Sequence, residues 1–432
     1  MIYTDRFLFL DGSYFFSSML FKEGFNNFDE ARVFAQYLTQ APTVLAINIF
    51  GIEQKSILMK IYGATLYGLP LLGLYFTYYL LEDKKFFIFP LFSFFLSTFY
   101  SYSFIISEAH LMVSLFWLTL VLITRTTHSL LHLVSIYVLL IIATNIYESF
   151  LFFAILYLIA ISIKIKTTKE NSLRLFWIFS IGIILYGMYI AAHSTLNPRD
   201  PDNIREFLKA LLFLKDSFML EFYIAFALIA YVVCKKNSCP ILLTLLFIGT
   251  LSVVVLNPHF MQIGLSYDGR MLLLIFPFGF GFIFLLFFYI KKISNFIDIS
   301  SSKVLASLKV LSVVFIAFQI AISIHWSTYI RDFESALNQL HPNSLQDYQR
   351  TLVGEQSPHP ELLDEFFLRW TYPFMSYALQ QQPKAIILNS QSYRSLPNPY
   401  TVHNTMSETA VTYYNSPNRI RYYMLGIGID VE

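Results

Sequence analysis

The sequence predicts an all-α polytopic membrane bundle of about ten helices, with external amphipathic helices and a small external α+β segment at its C-terminal end. Three observations predict it. The chain of 432 residues is 56% apolar and only 13% charged, and its mean hydropathy is +0.57. No soluble domain needs that composition. Its apolar stretches are many and separated by short Lys-containing turns, which suits helices and not a barrel. A polar, amphipathic stretch, Asp11–Gly51, precedes them, and a Pro-, Asn-, Ser- and Gln-rich stretch follows them.

The boundaries follow from this pattern. Residues 1–56 read as a first external loop with amphipathic helices, 57–325 as the transmembrane bundle and 326–432 as an external soluble segment. Candidate spans are Ile57–Leu81, Phe86–Ser107, Leu111–Thr124, Leu130–Thr144, Phe150–Ile163, Leu175–His193, Phe218–Cys234, Ile241–Leu256, Met271–Ile290 and Leu308–His325. Ser129–Ile163 is too long for one ordinary span, and Asn145 and Glu148 sit at its middle, so it divides there. Met1 is followed at once by Asp5 and Arg6, and Asp11 breaks the run Phe7–Leu20; this does not read as a signal peptide.

Positive charge orients the bundle. Lys84 and Lys85, Arg125, Lys164 to Arg174, Lys235 and Lys236, and Lys291 and Lys292 mark every second turn, so these turns are expected in the cytoplasm. Acids, histidines and long loops collect on the other side, which is therefore the expected working face. Both ends come out external although no segment carries the N-terminus across. A first helix before Met1, or an irregular entry of Met1–Leu20, is the expectation.

Within the first loop, Tyr14, Phe15, Met19 and Leu20 recur near helical spacing, as do Val33, Phe34, Tyr37 and Leu38. Such segments lie flat on a bilayer with their acids toward water. In Thr195–Ser217, Asn203 can cap a helix with the apolar side Phe207, Leu208, Leu211 and Leu212. Arg199, Arg205, Lys209 and Lys215 add cations there, as snorkelling anchors or as a lipid-phosphate site. Trp326–Leu340 reads as an amphipathic helix, Lys384–Asn389 as a buried strand, and Tyr413–Ile429 as one or two more.

Soluble-enzyme motifs are missing: there is no GxxxxGK loop and no G-x-S-x-G elbow, and Gly279 and Gly281 suit helix packing inside a span. Cys234 and Cys239 flank a Lys-Lys turn without enough neighbouring ligands for zinc. The informative residues are ionisable groups at the external boundary, where burial makes them costly and marks candidate sites. Asp11 precedes the first surface helix. Glu108 lies in SEAH and Glu148 in NIYES, each between two spans, and Arg270 opens a span directly after SYDG. The plain alternatives are a helix cap for Glu148 and, for Arg270, an interfacial anchor or an ion pair with Asp268.

In order and spacing over residues 11–290, these features resemble the GT-C glycosyltransferases, polytopic enzymes that take sugars from polyprenyl-phosphate or -diphosphate donors. The resemblance rests on Asp11 and the helix Ser13–Lys22, on QAPTVLAINIFG at Gln40–Gly51, on Ser107–His110 before Leu111–Thr124, and on RMLLLIFPF at Arg270–Phe278. It implies Asp11 and Glu108 as catalytic carboxylates, with Asp29 or Glu30 as rivals because Asp11 is followed by Gly12. It implies substrate contacts at Arg270 and, within the matching motifs, at Gln40 and His110; Glu148, Arg32, Arg205 and Lys209 join them as candidates because they are charged groups on the expected external face. An external carboxylate would act as general base, and Arg270, with Arg205 or Lys209, would hold the leaving phosphate. The implied partners are a polyprenyl-phosphate-linked sugar donor, a lipid-linked glycan or protein acceptor, and membrane lipid, but no nucleic acid. A divalent cation stays open as a cofactor, since hard cations need several oxygen ligands. The implied setting is a bacterial inner membrane with the site facing the periplasm. A transporter or flippase for a lipid-linked saccharide is the alternative, although the expected repeat is absent; a non-catalytic assembly protein is a third reading.

Overall fold

The computed structural model describes residues 6–8, 11–26, 30–99, 108–126, 129–197 and 267–289, with scattered positions between 313 and 429. The chain divides into two compact units. Unit 1 comprises residues 1–26, 38–65 and 319–432; unit 2 comprises residues 27–37 and 66–318. The described fold is predominantly helical: α1 is Asp11–Lys22, α2 Val33–Asn48, α3 Lys55–Leu80, α4 Ile88–Phe99, α5 Glu108–Thr124, α6 Leu130–Thr144, α7 Phe150–Thr167, α8 Asn171–Leu196 and α9 Tyr267–Tyr289. The division between units falls inside α2 and α3.

Three described helices, α3, α7 and α8, are long and apolar enough to cross a membrane; α5, α6 and part of α9 are shorter apolar helices. The long stretch Ser129–Ile163 does divide where its polar residues fall, into α6 and α7. The expected spans Phe218–Cys234 and Ile241–Leu256 lie outside the described residues.

Unit 2 is built around α5. Every residue from Glu108 to Thr124 is buried, as an apolar circumference requires. Phe116 stacks on Phe153 of α7 with ring centroids 4.6 Å apart, and Trp117 donates its indole N–H to Ser93 Oγ of α4 at 2.8 Å. Gly73 of α3 and Gly281 of α9 admit close approach: a Cβ at either would lie 2.1 Å from Ser114 Oγ and 2.7 Å from Phe116 Cζ, respectively. α8 packs on α6 and α7 through Trp177, Ser180, Ile184, Gly187 and Ala191, a three-and-four spacing that makes one face. Its other face exposes Leu175, Ile178, Phe179, Tyr186 and Tyr189. In a span, such a face meets acyl chains.

The antiparallel run of α5, α6 and α7 gives unit 2 two chemically distinct ends. Glu108, Asn145 and Glu148 lie at one; Arg125, Ser129 and Lys164 lie at the other, about 25 Å away for a 17-residue helix. At the basic end Lys84 Nζ donates to the carbonyls of Tyr78, Tyr79 and Leu81, satisfying the frayed end of α3. Glu82 accepts from the Thr126 amide at 3.0 Å and hydroxyl at 2.8 Å. Lys164 Nζ donates to the Arg125 carbonyl at 2.5 Å. Burial works against ionisation of Glu82 but is outweighed by these Thr126 donors, Arg125 and Lys164, so its carboxyl sits below the ordinary value.

In unit 1, α1 differs from the flat surface helix expected of it. Phe15, Phe16 and Met19 are buried, and so are Ser13 and Ser17, so burial extends well beyond one apolar stripe. Phe16 stacks on Tyr62 of α3, and Phe7 meets the same ring edge-on, each at 5.9 Å. Gly12 fits because any Cβ there would stand 1.7 Å from the Phe7 carbonyl oxygen. Ile330, Phe333 and Leu337 are buried at helical spacing in the stretch read as an amphipathic helix. Strand β1 (Ser344–Asp347) pairs in parallel with β2 (Ala385–Leu388), which falls inside Lys384–Asn389. β3 (Val402–His403) pairs antiparallel with β4 (Gly428–Ile429).

Candidate functional site

The residues at the acid end of unit 2 come from three places. The 3-10 turn Glu30–Arg32 leads into α2; Glu108 begins α5; Asn145–Ser149 joins α6 to α7. Asn145 caps α6, and its carbonyl accepts the Phe34 amide at 3.0 Å, which holds the first-loop segment against this turn.

Arg32 is the centre. Its Nη1 donates to Glu108 Oε2 at 3.1 Å. Its Nε and Nη2 both donate to Glu148 Oε1, at 3.1 and 3.0 Å. The guanidinium lies 4.7 Å from the ring centroid of Tyr147, within cation–π range. The side chains are 18%, 11% and 21% exposed for Arg32, Glu108 and Glu148, so the ion pairs are largely shielded. Among the described residues, these two carboxylates and one guanidinium carry a formal charge of −1.

The sequence-derived candidates fall into four groups. Glu108, Glu148 and Arg32 meet directly. His110 lies in α5 near them but is 1% exposed and packs edge-on against Phe94 at 6.2 Å. Gln40, in unit 1, spans the backbone of Asn26: Oε1 accepts its amide at 2.7 Å and Nε2 donates to its carbonyl at 3.0 Å. This amide therefore holds the loop after α1. Asp11 is the first residue of α1 and Arg270 lies in the first turn of α9, three residues inside the helix rather than at its start. Their side chains, with Asp29, Arg205 and Lys209, lie outside the described residues.

Tyr147 and the Asn145 carbonyl were not singled out as site groups by sequence. The signal for Tyr147 was an aromatic ring beside a boundary acid, which the sequence offers many times over. Among the described residues no three His, Cys, Asp or Glu side chains gather as a metal centre would need. Glu108 and Glu148 are two carboxylates joined by a guanidinium, and by themselves do not make the oxygen cage of a hard cation.

Comparison of the chain with protein-family models, curated proteins and solved structures returned no match.

Proposed function

We propose that this protein is a GT-C-like membrane glycosyltransferase that moves one sugar from a polyprenyl-phosphate donor to an acceptor hydroxyl. The observation that carries the reading is the gathering of Glu108 and Glu148 around Arg32, at the end of the bundle opposite the basic turns. The sequence resemblance supports it by expecting acids on that side, one of them just before a long apolar helix.

In this reading the acceptor oxygen attacks the anomeric carbon as the carbon–oxygen bond to phosphate breaks. A carboxylate takes the acceptor's proton, and the bonding pair leaves with the phosphate. Asp11 is the main base, from the resemblance. Glu108 is a second catalytic carboxylate, also from the resemblance, held by Arg32 so that its charge stays fixed during turnover. Arg270 receives the phosphate, and its place in the first turn of α9 adds the positive end of the helix dipole. The acid end and the C-terminal segment face the periplasm, with the basic turns in the cytoplasm.

The test is incubation of purified protein with polyprenyl-phosphate sugars and a membrane extract. Release of polyprenyl phosphate is expected. Movement of the sugar lipid across a bilayer without bond cleavage would replace this reading with a transporter. Cysteine labelling that found position 393 in the cytoplasm would overturn the orientation.

A further inference from the structure

Helix α2 has its two sides reversed relative to a helix in water. Gln36, Thr39, Gln40 and Thr43 recur at helical spacing on one side, and all four are buried. Gln40 clasps the Asn26 backbone there, and from the end of the same helix Asn48 Nδ2 donates to the Glu23 carbonyl at 2.9 Å. The polar side is thus packed inside the protein. The other side carries Pro42, Leu45 and Ile49, all exposed, and Phe50 follows at the helix end. Ile49 and Phe50 are 68% and 73% exposed. A helix in water shows the opposite, with apolar residues inward and charges outward. From Val33 to Ile52 the sequence contains no Asp, Glu, Lys or Arg at all.

An apolar solvent selects this reversal, because polar groups then find partners within the protein while apolar groups face outward. The apolar tip is also held and not frayed. The Ile49 amide donates to the Leu45 carbonyl at 2.9 Å. The Gly51 and Ile52 amides close on the carbonyls of Ile47 and Ala46, each at 3.1 Å, with Gly51 left-handed at φ 61°. The chain then enters α3 at Lys55, one of the described helices long and apolar enough to cross a membrane. The tip therefore stands beside the end of a span, and the bilayer is the apolar solvent at hand. Two features set its depth. At 16 residues α2 is about 24 Å long, short of the ~20 residues that a span needs. Pro42 also denies the Leu38 carbonyl its helical donor. Water among headgroups supplies that donor, and acyl chains cannot.

We infer that α2 is an interfacial helix turned inside out, with Pro42, Leu45, Ile49 and Phe50 sunk into the headgroup–acyl boundary of the bilayer and its Gln and Thr row facing the protein. An ordinary surface helix keeps its polar side in water; α2 does not. The surface is independent of the proposed transferase chemistry and stands or falls without it.

The test uses the full chain in phosphatidylcholine nanodiscs, with Cys234 and Cys239 replaced by Ser. Leu45→Cys, Phe50→Cys and Glu53→Cys each carry a nitrobenzoxadiazole label, and unchanged circular dichroism identifies the folded variants. Glu53 is exposed just past the tip and is the control on the water side. Labels at 45 and 50 should lose fluorescence to lipids brominated near the top of the acyl chain and resist iodide. The label at 53 should show the reverse. Either of the two apolar positions suffices if the other variant folds poorly. Iodide quenching at 45 and 50 equal to that at 53 would overturn the inference, because the outer side would then meet water. Resistance of 45 and 50 to both quenchers would overturn it in favour of a protein cover. Disulfide cross-linking of Phe50→Cys between copies would then identify that cover as a second copy of the chain.

Discussion

Arg32 engages one oxygen of Glu148, Oε1, with two of its nitrogens at 3.1 and 3.0 Å, and this leaves Nη1 to reach Glu108. One guanidinium thereby joins the first loop, the start of α5 and the α6–α7 turn.

Arg32→Ala should destabilise the protein by about 2–3 kcal/mol. Removing one partner of a fully buried pair costs about 3–5 kcal/mol, and the partial exposure here reduces it. Arg32→Lys should lose less but not nothing, because a point charge cannot serve two carboxylates in a fixed fork. Unfolding in a detergent titration measures both, and Arg32→Ala/Glu148→Gln closes a cycle with an expected coupling of about 0.5–3 kcal/mol. Additive effects would show that the pair contributes nothing of its own.

Under the proposed chemistry, Asp11→Asn and Glu108→Gln should each lower turnover by about 10²–10⁴-fold at saturating donor, the usual worth of a general base. Glu148→Gln should act mainly on KM and stability. Release of polyprenyl phosphate is the measurement. Normal turnover in Asp11→Asn beside an inactive Asp29→Asn would move the chemistry to the segment around Arg32.

Glycines separate into those that packing requires and those that it does not. Gly12→Ala would set a Cβ 1.7 Å from a backbone oxygen that cannot swing aside. It should cost about 1–3 kcal/mol or prevent folding. Gly68 in α3 and Gly182 in α8 meet nothing within 4 Å. Alanine at either should be neutral, or stabilise the helix by up to about 1 kcal/mol. Parallel thermal melts of the three variants check the contrast.

Acid should weaken the basic end through Glu82. Its folded-state pKa lies below the usual 4.5 because, against the opposing effect of burial, the Thr126 donors, Arg125 and Lys164 favour the charged form. A depressed carboxylate contributes stability that is fully present above the unfolded value and lost as pH falls through the folded one. Melting temperature should therefore decline below about pH 4.5 more steeply in wild type than in Glu82→Gln. Identical acid limbs would remove Glu82 from the cause.

Much of unit 2 was legible because its signals are local. Composition and run length mark α3, α7 and α8, and polar residues inside the long apolar stretch 129–163 mark the α6–α7 turn. Glu108, Glu148 and Arg32 were each visible as charges at a boundary. Their meeting was not, because it depends on which helix ends pack together across 76 and 116 residues of chain. The same limit hid the work of Gln40, whose partner is a backbone fourteen residues away. α1 was misplaced on the surface because periodicity reports one apolar face, whereas Ser13 and Ser17 show its polar positions covered as well.

The Arg32 junction also sets an order of assembly. Its two carboxylates are made 76 and 116 residues after it. At ribosomal speeds of about 5–20 residues per second, the arginine waits roughly 6–23 s for Glu148. Until then the turn that carries it has no ionic anchor at the α6–α7 turn. A nascent chain halted between Arg125 and Ile142 would hold Glu108 but not Glu148, and should leave the first loop open to protease. One halted well beyond α7 should protect it. The junction is thus a timing mark in biogenesis, closing the earliest loop only after five following helices, α2 to α6, have been made.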